Sequence, residues 1–186
     1  MEIEVAEFSP EHLRSRCVQG FECGDTLWAQ HAAKWIKSAP PFEGALKSIR
    51  DRGNVVWLYF ALANAIDEKH LVGFSSLGVI RWPIPPPDGP KRDVGFIPML
   101  AVASAFQGKP NGADGKHYSH FIMEDVIRKA RARKYRELCL FAHEDNVRAI
   151  KLYEEFGFEV IQSSDGKGNV KMMAFLDSTS SQTKTH

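Results

Sequence analysis

The tract Asn146-Val147-Arg148-Ala149-Ile150-Lys151-Leu152-Tyr153-Glu154-Glu155-Phe156-Gly157-Phe158 sets an amide and a phenol at fixed distances along one helix. Asp145 or Asn146 can cap its start through a side-chain oxygen. Val147, Ile150 and Phe156 fall at helical spacing, and Gly157 can end the helix in a conformation that costs glycine little. The preceding run, Glu137-Leu138-Cys139-Leu140-Phe141-Ala142-His143, reads as a buried strand. A strand that feeds straight into a capped helix leaves backbone N–H groups and Asn146 at the carboxyl end of a sheet. Open α/β sheets bind ligands there. His143 and Glu144, at the end of that strand, are titratable groups close to such a site in sequence.

The pattern N-x-x-A-x-x-x-Y-x-x-x-G-F resembles the last motif of the GNAT N-acetyltransferases, matching Asn146, Ala149, Tyr153, Gly157 and Phe158 without a gap. The resemblance implies acyl transfer from acetyl-coenzyme A to a primary amine, by direct attack in a ternary complex. It makes Tyr153 the general acid for the departing thiolate, a role that suits a phenol because its ordinary pKa near 10 retains the proton until the thiolate develops. Asn146 and Ala149 are then placed against the coenzyme, as are Leu100, Ala101 and Val102, which match the strand that holds pantetheine in this family.

Coenzyme A also carries a pyrophosphate, which a glycine-rich turn at a helix start holds economically. The family pattern Q/R-x-x-G-x-G/A begins here at Gln107-Gly108-Lys109 and then departs, with Pro110 in place of the first glycine and Gly112 in that of the second. A second register places Gly115-Lys116-His117-Tyr118-Ser119 on the motif and makes 109–114 an insertion. It is preferred because Pro110-Asn111-Gly112-Ala113-Asp114-Gly115 has loop composition, so helical phase begins only after it. His117 and Ser119 then stand where glycine usually lets the backbone approach phosphate.

A general base is harder to find. Gly95 to Phe106 holds no carboxylate, so His143 is the catalytic candidate, with Glu144 beside it and Asp93 further off. The structural alternative for His143 is a strand-end histidine bonded to backbone. Without a base the acceptor amine must be largely neutral near pH 7, which fits an α-amino group or an aminoacyl ester better than a lysine side chain. Phe21-Glu22-Cys23-Gly24 is similar to the F-x-C-G start of GNAT toxins that acetylate charged transfer RNA, and it is equally a turn before a helix cap at Asp25. A third reading is an acyl-coenzyme A binder without turnover.

The chain has 186 residues, enough for one domain with a substantial core, expected over 1–176 and followed by a disordered tail at 177–186. A formal net charge of +1 argues against a broad electrostatic grip on nucleic acid, leaving transfer RNA only to the toxin reading. The basic run Arg128 to Arg136 reads first as the solvated end of a helix. Cys17, Cys23 and Cys139 are too scattered for a disulfide framework and fit a reducing cytoplasm; no span for a membrane and no signal peptide is expected, and no metal. The partner is a small-molecule or peptide amine, and a homodimer is admitted.

Ile3, Val5 and Phe8 suggest a first strand, with a helix start at Ser9-Pro10-Glu11. Asp25 to Lys37 carries Leu27, Trp28, His31, Trp35 and Ile36 at helical spacing and stops before Pro40-Pro41. Val55–Ala65 and Leu71–Trp82 read as a hairpin about Asp67-Glu68-Lys69, and Pro83 to Pro90 as a stiff exposed loop. Phe96 to Phe106 is the next strand. Lys116 to Lys134 is a helix with Phe121, Ile122, Val126 and Ile127 inward. Phe158–Ile161 and Val170–Leu176 form a closing hairpin. Trp28, Trp35 and Trp57 are core or the wall of the acceptor groove. The order gives a layered α/β fold with a mixed, mostly antiparallel sheet flanked by helices, which is also the GNAT order.

Overall fold

Alternation of side chains across two long apolar strands organises the amino-terminal half of the chain. The computed structural model describes residues 3–37, 55–62, 69–83, 86, 88–111, 115–163, 166 and 168–176. The strands are β1 (Ile3–Glu7), β2 (Val55–Leu62), β3 (Lys69–Pro83), β4 (Lys91–Ile97), β5 (Leu100–Val102), β6 (Glu137–His143), β7 (Glu159–Gln162) and β8 (Asn169–Phe175). The helices are α1 (Arg16–Gln19), α2 (Leu27–Lys37), α3 (Tyr118–Ala132) and α4 (Val147–Glu155), with 3-10 turns at Pro10–Arg14 and Ser104–Phe106. The strand order is β1-β2-β3-β4-β6-β8-β7, with β5 added on β3. The β1·β2, β2·β3, β3·β5, β6·β8 and β7·β8 pairs are all antiparallel. This is the mixed α/β architecture the sequence leads one to expect. No described helix is long and apolar enough to cross a membrane.

Two compact units divide the chain, one from Met1–Val79 with Phe96–Val126, the other from Ile80–Gly95 with Ile127–His186. In the first, Val56, Leu58 and Phe60 of β2 bury one face against Ala29, Ala32 and Ile36 of α2. The alternate residues Trp57, Tyr59 and Ala61 are buried too, so β2 is covered on both sides. Trp28 and Trp35 pack against the core, and Trp35 stacks on Phe74 at 5.6 Å. The expected inward face of α2 was drawn partly from the wrong residues. Leu27 is 78% exposed and His31 is exposed, because the buried stripe runs through the small residues Ala29 and Ala32. The cap also moves. Thr26, not Asp25, receives the Ala29 N–H on its hydroxyl at 3.3 Å.

In the second unit, Leu138, Leu140 and Ala142 of β6 face Ala174, Met172 and Val170 of β8, all buried. On the opposite face Lys171 lies beside Phe141 in register and holds its ammonium 4.1 Å above the Trp82 ring. The basic run Arg128 to Arg136, which spans the last turn of α3 and the residues after it, is largely solvent-exposed, as a helix C-terminus favours. The Pro40-Pro41 stop, Asp67 and Glu68 of the expected turn, and the 177–186 tail lie outside the described residues.

Candidate active site

The expected strand from Phe96 to Phe106 is not continuous. Proline has no N–H to give to a ladder, and at Pro98-Met99 the strand breaks into β4 and β5. Ser76 repairs the gap. Its backbone N–H donates to the Met99 carbonyl at 2.8 Å, its hydroxyl donates to the same carbonyl at 3.1 Å, and its Oγ accepts the Met99 N–H at 2.9 Å. Past the break, β5 pairs residue for residue with Gly73–Ser75 of β3. Gly73 is required there, since a Cβ would collide with the Ala101 carbonyl oxygen and stand 2.8 Å from Ile122 Cδ1. Among the described residues β5 pairs with β3 alone, which leaves the second edge of Leu100-Ala101-Val102 without a strand.

The chain after β5 does not turn directly into a helix. Pro110 and His117 form an antiparallel bridge, closed by Asn111 N–H on the Lys116 carbonyl at 2.7 Å. The bridge and this bond join the described residues on either side of 112–114, and α3 starts only at Tyr118. Gly108 and Gly115 take left-handed backbone, φ 69° and 72°, and the Cα of Gly115 faces open space. Lys116 is half-exposed and pairs with Glu124 at 2.5 Å. Tyr118, expected at the ligand, turns inward: its N–H donates to the Lys109 carbonyl at 3.4 Å and its ring packs edge-on against Phe106 at 5.2 Å. Burial pushes its phenol pKa up. Gln107 is also drawn inward, its amide nitrogen bonded to the Cys23 and Val102 carbonyls.

In the second unit, Asn146 caps α4, its Oδ1 accepting the Ala149 N–H at 3.4 Å, and Gly157 ends it with φ 79°. Val147 lies outward at 55% exposure, and the buried residue of α4 is Tyr153. Its ring meets Phe158 at 6.1 Å, and desolvation pushes its phenol up to about 12. His143 closes β6 with its Nδ1 3.3 Å from the Asp145 backbone nitrogen and 3.6 Å from the Asp145 carboxylate. Its ring rests on Gly168. Leu100 to Val102, Gln107 and the Gly115–Ser119 segment thus belong to the first unit, and His143, Asn146, Ala149 and Tyr153 to the second.

The first unit also holds a pocket of about 810 Å³, between α2 and the turn after β5, within the range of small-molecule sites. Glu22 and Asp25 line it with Lys34, Lys37 and Ser104, so its charged groups are balanced.

The profile of the acetyltransferase (GNAT) family matches residues 25–158. The chain belongs to the GNAT acetyltransferase family. Comparison with curated proteins gives no match. Solved structures share the GNAT fold at low identity. A bacterial toxin aligns with TM-score 0.67 at 15% identity, over 94% of this chain and 91% of its own. The PaiA N-acetyltransferase from Thermoplasma acidophilum, in complex with coenzyme A, aligns with TM-score 0.63 at 16% identity, over 94% and 99%. A variant of the toxin AtaT, bound to the C-terminus of the antitoxin AtaR and acetyl-CoA, aligns with TM-score 0.59 at 13% identity, over 92% of each chain.

Two features of this GNAT chain escape a reading of its sequence. One is Ser76 at the strand break. The other is a buried group in which the Tyr59 hydroxyl donates to Asp125 Oδ2 at 2.8 Å and meets Ser75 Oγ at 2.8 Å. The signals were there: paired serines inside an apolar strand, and an acid on the apolar face of α3 beside Ile122 and Val126.

Proposed function

We propose that this GNAT chain transfers an acetyl or short acyl group from acetyl-coenzyme A to a primary amine in a ternary complex. The observation that carries the reading is Tyr153, buried on the Asn146-capped helix with its proton held up to about pH 12. The edge of Leu100 to Val102 that faces away from β3, whose Val102 carbonyl Gln107 engages, would take pantetheine and polarise the thioester, and the loop around Lys116 would take the pyrophosphate. The amine nitrogen attacks the thioester carbon, the C–S bond breaks, and the thiolate takes the Tyr153 proton. Solvent then restores that proton and accepts the one released by the amine. A phenol at 12 is a weak acid for an ordinary thiol. The apolar surroundings that raise it also raise a buried thiol, so the transfer stays near balance.

His143 is poorly set as a base, because its Nδ1 already faces Asp145 and its ring rests on Gly168. The acceptor is accordingly an amine with an appreciable neutral fraction near pH 7, of the α-amino kind, and the balanced pocket beside Ser104 suits its small polar body. The toxin reading, with an aminoacyl ester on transfer RNA as acceptor, draws support from the Phe21–Gly24 segment and the likeness to toxins. Thermal shift with acetyl-coenzyme A, then free-thiol release with an amine panel, tests both. The panel sets peptide N-termini and amino-acid amides against lysine side chains and charged transfer RNA. No shift at millimolar acetyl-coenzyme A would sink the assignment, since saturating ligand raises stability by about 2.7 kcal/mol at a hundredfold excess over Kd.

A further inference from the structure

Gln107 stands where a ligand contact is expected, yet its side chain works inside the protein. Its amide nitrogen lies 2.7 Å from the Cys23 carbonyl and 2.9 Å from the Val102 carbonyl. The Ser104 N–H donates to the neighbouring carbonyl, that of Glu22, at 2.8 Å. Two successive carbonyls of one segment thus hold the beginning and the end of the Ser104–Gln107 turn. That turn joins β5 to the loop. It is closed from within by the Phe106 and Gln107 N–H groups on the Ala103 carbonyl, at 2.8 and 3.1 Å.

The Glu22–Cys23 segment is itself fixed. Phe21 is buried and packs edge-on against Phe74 at 5.4 Å. The Cys23 thiol donates to the Ala29 carbonyl at 3.0 Å, and Gly24 redirects the chain into α2 with φ 124°. A rigid platform tied at two points to a turn sets the direction in which the backbone leaves that turn.

We propose that Phe21–Gly24 is a brace for the coenzyme loop, with Gln107 as the positioning residue that couples the two. The brace sets the direction in which the chain leaves Gln107, and the Pro110–His117 bridge and the bond from Tyr118 N–H to the Lys109 carbonyl carry that setting to Gly115–Ser119, where the pyrophosphate would bind; Gln107 itself does not touch the ligand. This rests on the reading of that loop as the coenzyme site. It assigns the F-x-C-G segment to donor binding, so the segment ceases to be evidence for a nucleic-acid acceptor.

The test compares three variants with the wild type. Gln107→Met keeps length and loses the donor, and Gln107→Lys keeps a donor. Ser104→Pro removes only the N–H, at the first position of a 3-10 turn that follows an extended Ala103 with ψ 142°. Affinities are measured by thermal-shift titration for coenzyme A and for pantetheine, which lacks the pyrophosphate. Ser104→Pro, which loses one bond to a carbonyl, is expected to bind coenzyme A about tenfold more weakly, and Gln107→Met, which loses two, at least as weakly. Gln107→Lys should stay within about twofold of wild type. Pantetheine affinity should hold in Ser104→Pro, and in Gln107→Met, which also loses its bond to Val102 of the pantetheine strand, it should fall less than coenzyme A affinity. Wild-type affinity for coenzyme A in Gln107→Met overturns the brace. So does an equal loss for both ligands, or a Gln107→Lys protein no better than Gln107→Met. If Gln107→Met does not fold, Ser104→Pro carries the decision by the same criterion. A wild-type protein that binds no coenzyme A sinks the coenzyme reading itself, and with it the brace.

Discussion

The ring of His143 lies directly on the backbone of Gly168, so that a Cβ at Gly168 would stand 2.8 Å from His143 Nε2. The Glu144 N–H donates to the Gly168 carbonyl at 2.7 Å, tying the end of β6 to the β7–β8 connection. Gly168 also has φ 79°, a conformation that side chains rarely adopt. Gly168→Ala therefore faces two penalties, a left-handed backbone and a collision, and should cost roughly 1–3 kcal/mol in urea unfolding. Adding His143→Ala removes only the collision, so the double variant should recover part of the loss. Additive costs would show that the ring does not determine the fit.

Replacing Tyr153 with Phe should lower kcat by roughly a hundred- to ten-thousandfold, the contribution of a positioned acid, and leave coenzyme A affinity within about twofold. The ring that meets Phe158 is kept. With the phenol at about 12, the rate of the wild type should not decline through loss of this proton below about pH 10. Equal turnover in the two proteins would mean that another group or water supplies the proton. Lost coenzyme binding would make Tyr153 a binding residue.

The same phenol gives a stability signature. Its ordinary pKa is 10.0, and in the folded chain it is about 12. Between these values the folded state keeps a proton that the unfolded state releases, so stability falls as pH rises, by about 1.4 kcal/mol per unit at the steepest. Below pH 10 Tyr153 contributes no slope. The unfolding free energy of wild type minus that of Tyr153→Phe should thus be level to about pH 10 and then decline toward pH 12. Curves that stay parallel across that range would show that the phenol is not desolvated.

Local signals were the legible part of this chain. The cap at Asn146, the stop at Gly157 and the late start of α3 each depend on a few neighbouring residues, and each reads correctly. Side-chain direction was less legible. Val147 and Leu27 satisfy helical spacing yet point to solvent, because hydropathy cannot tell a buried stripe of alanines from the larger residues beside it. Long-range partners were not legible at all. Nothing around Gln107 announces that its amide will bond Cys23 rather than a ligand, since the partner is 84 residues away. The broken strand lies between these cases: Pro98 marked the place, and only Ser76 explains why the break is stable.

Ser76 supplies the last prediction. Its hydroxyl serves both the N–H and the carbonyl of Met99 while itself buried, at 1% exposure. Ser76→Ala leaves the Met99 N–H without that acceptor at a place where the ladder cannot provide one, which should cost roughly 1–3 kcal/mol. Ser76→Thr restores the hydroxyl but must fit a methyl into a filled core, so it should fall between the two. Because Met99 leads directly into Leu100, relaxation of the break should also weaken acetyl-coenzyme A binding, and do so for pantetheine as much as for the whole coenzyme. That equal loss is opposite to the pattern expected for Gln107→Met. If Ser76→Ala unfolds at the same urea concentration as wild type, then the backbone bond from Ser76 N–H to the Met99 carbonyl holds the break alone.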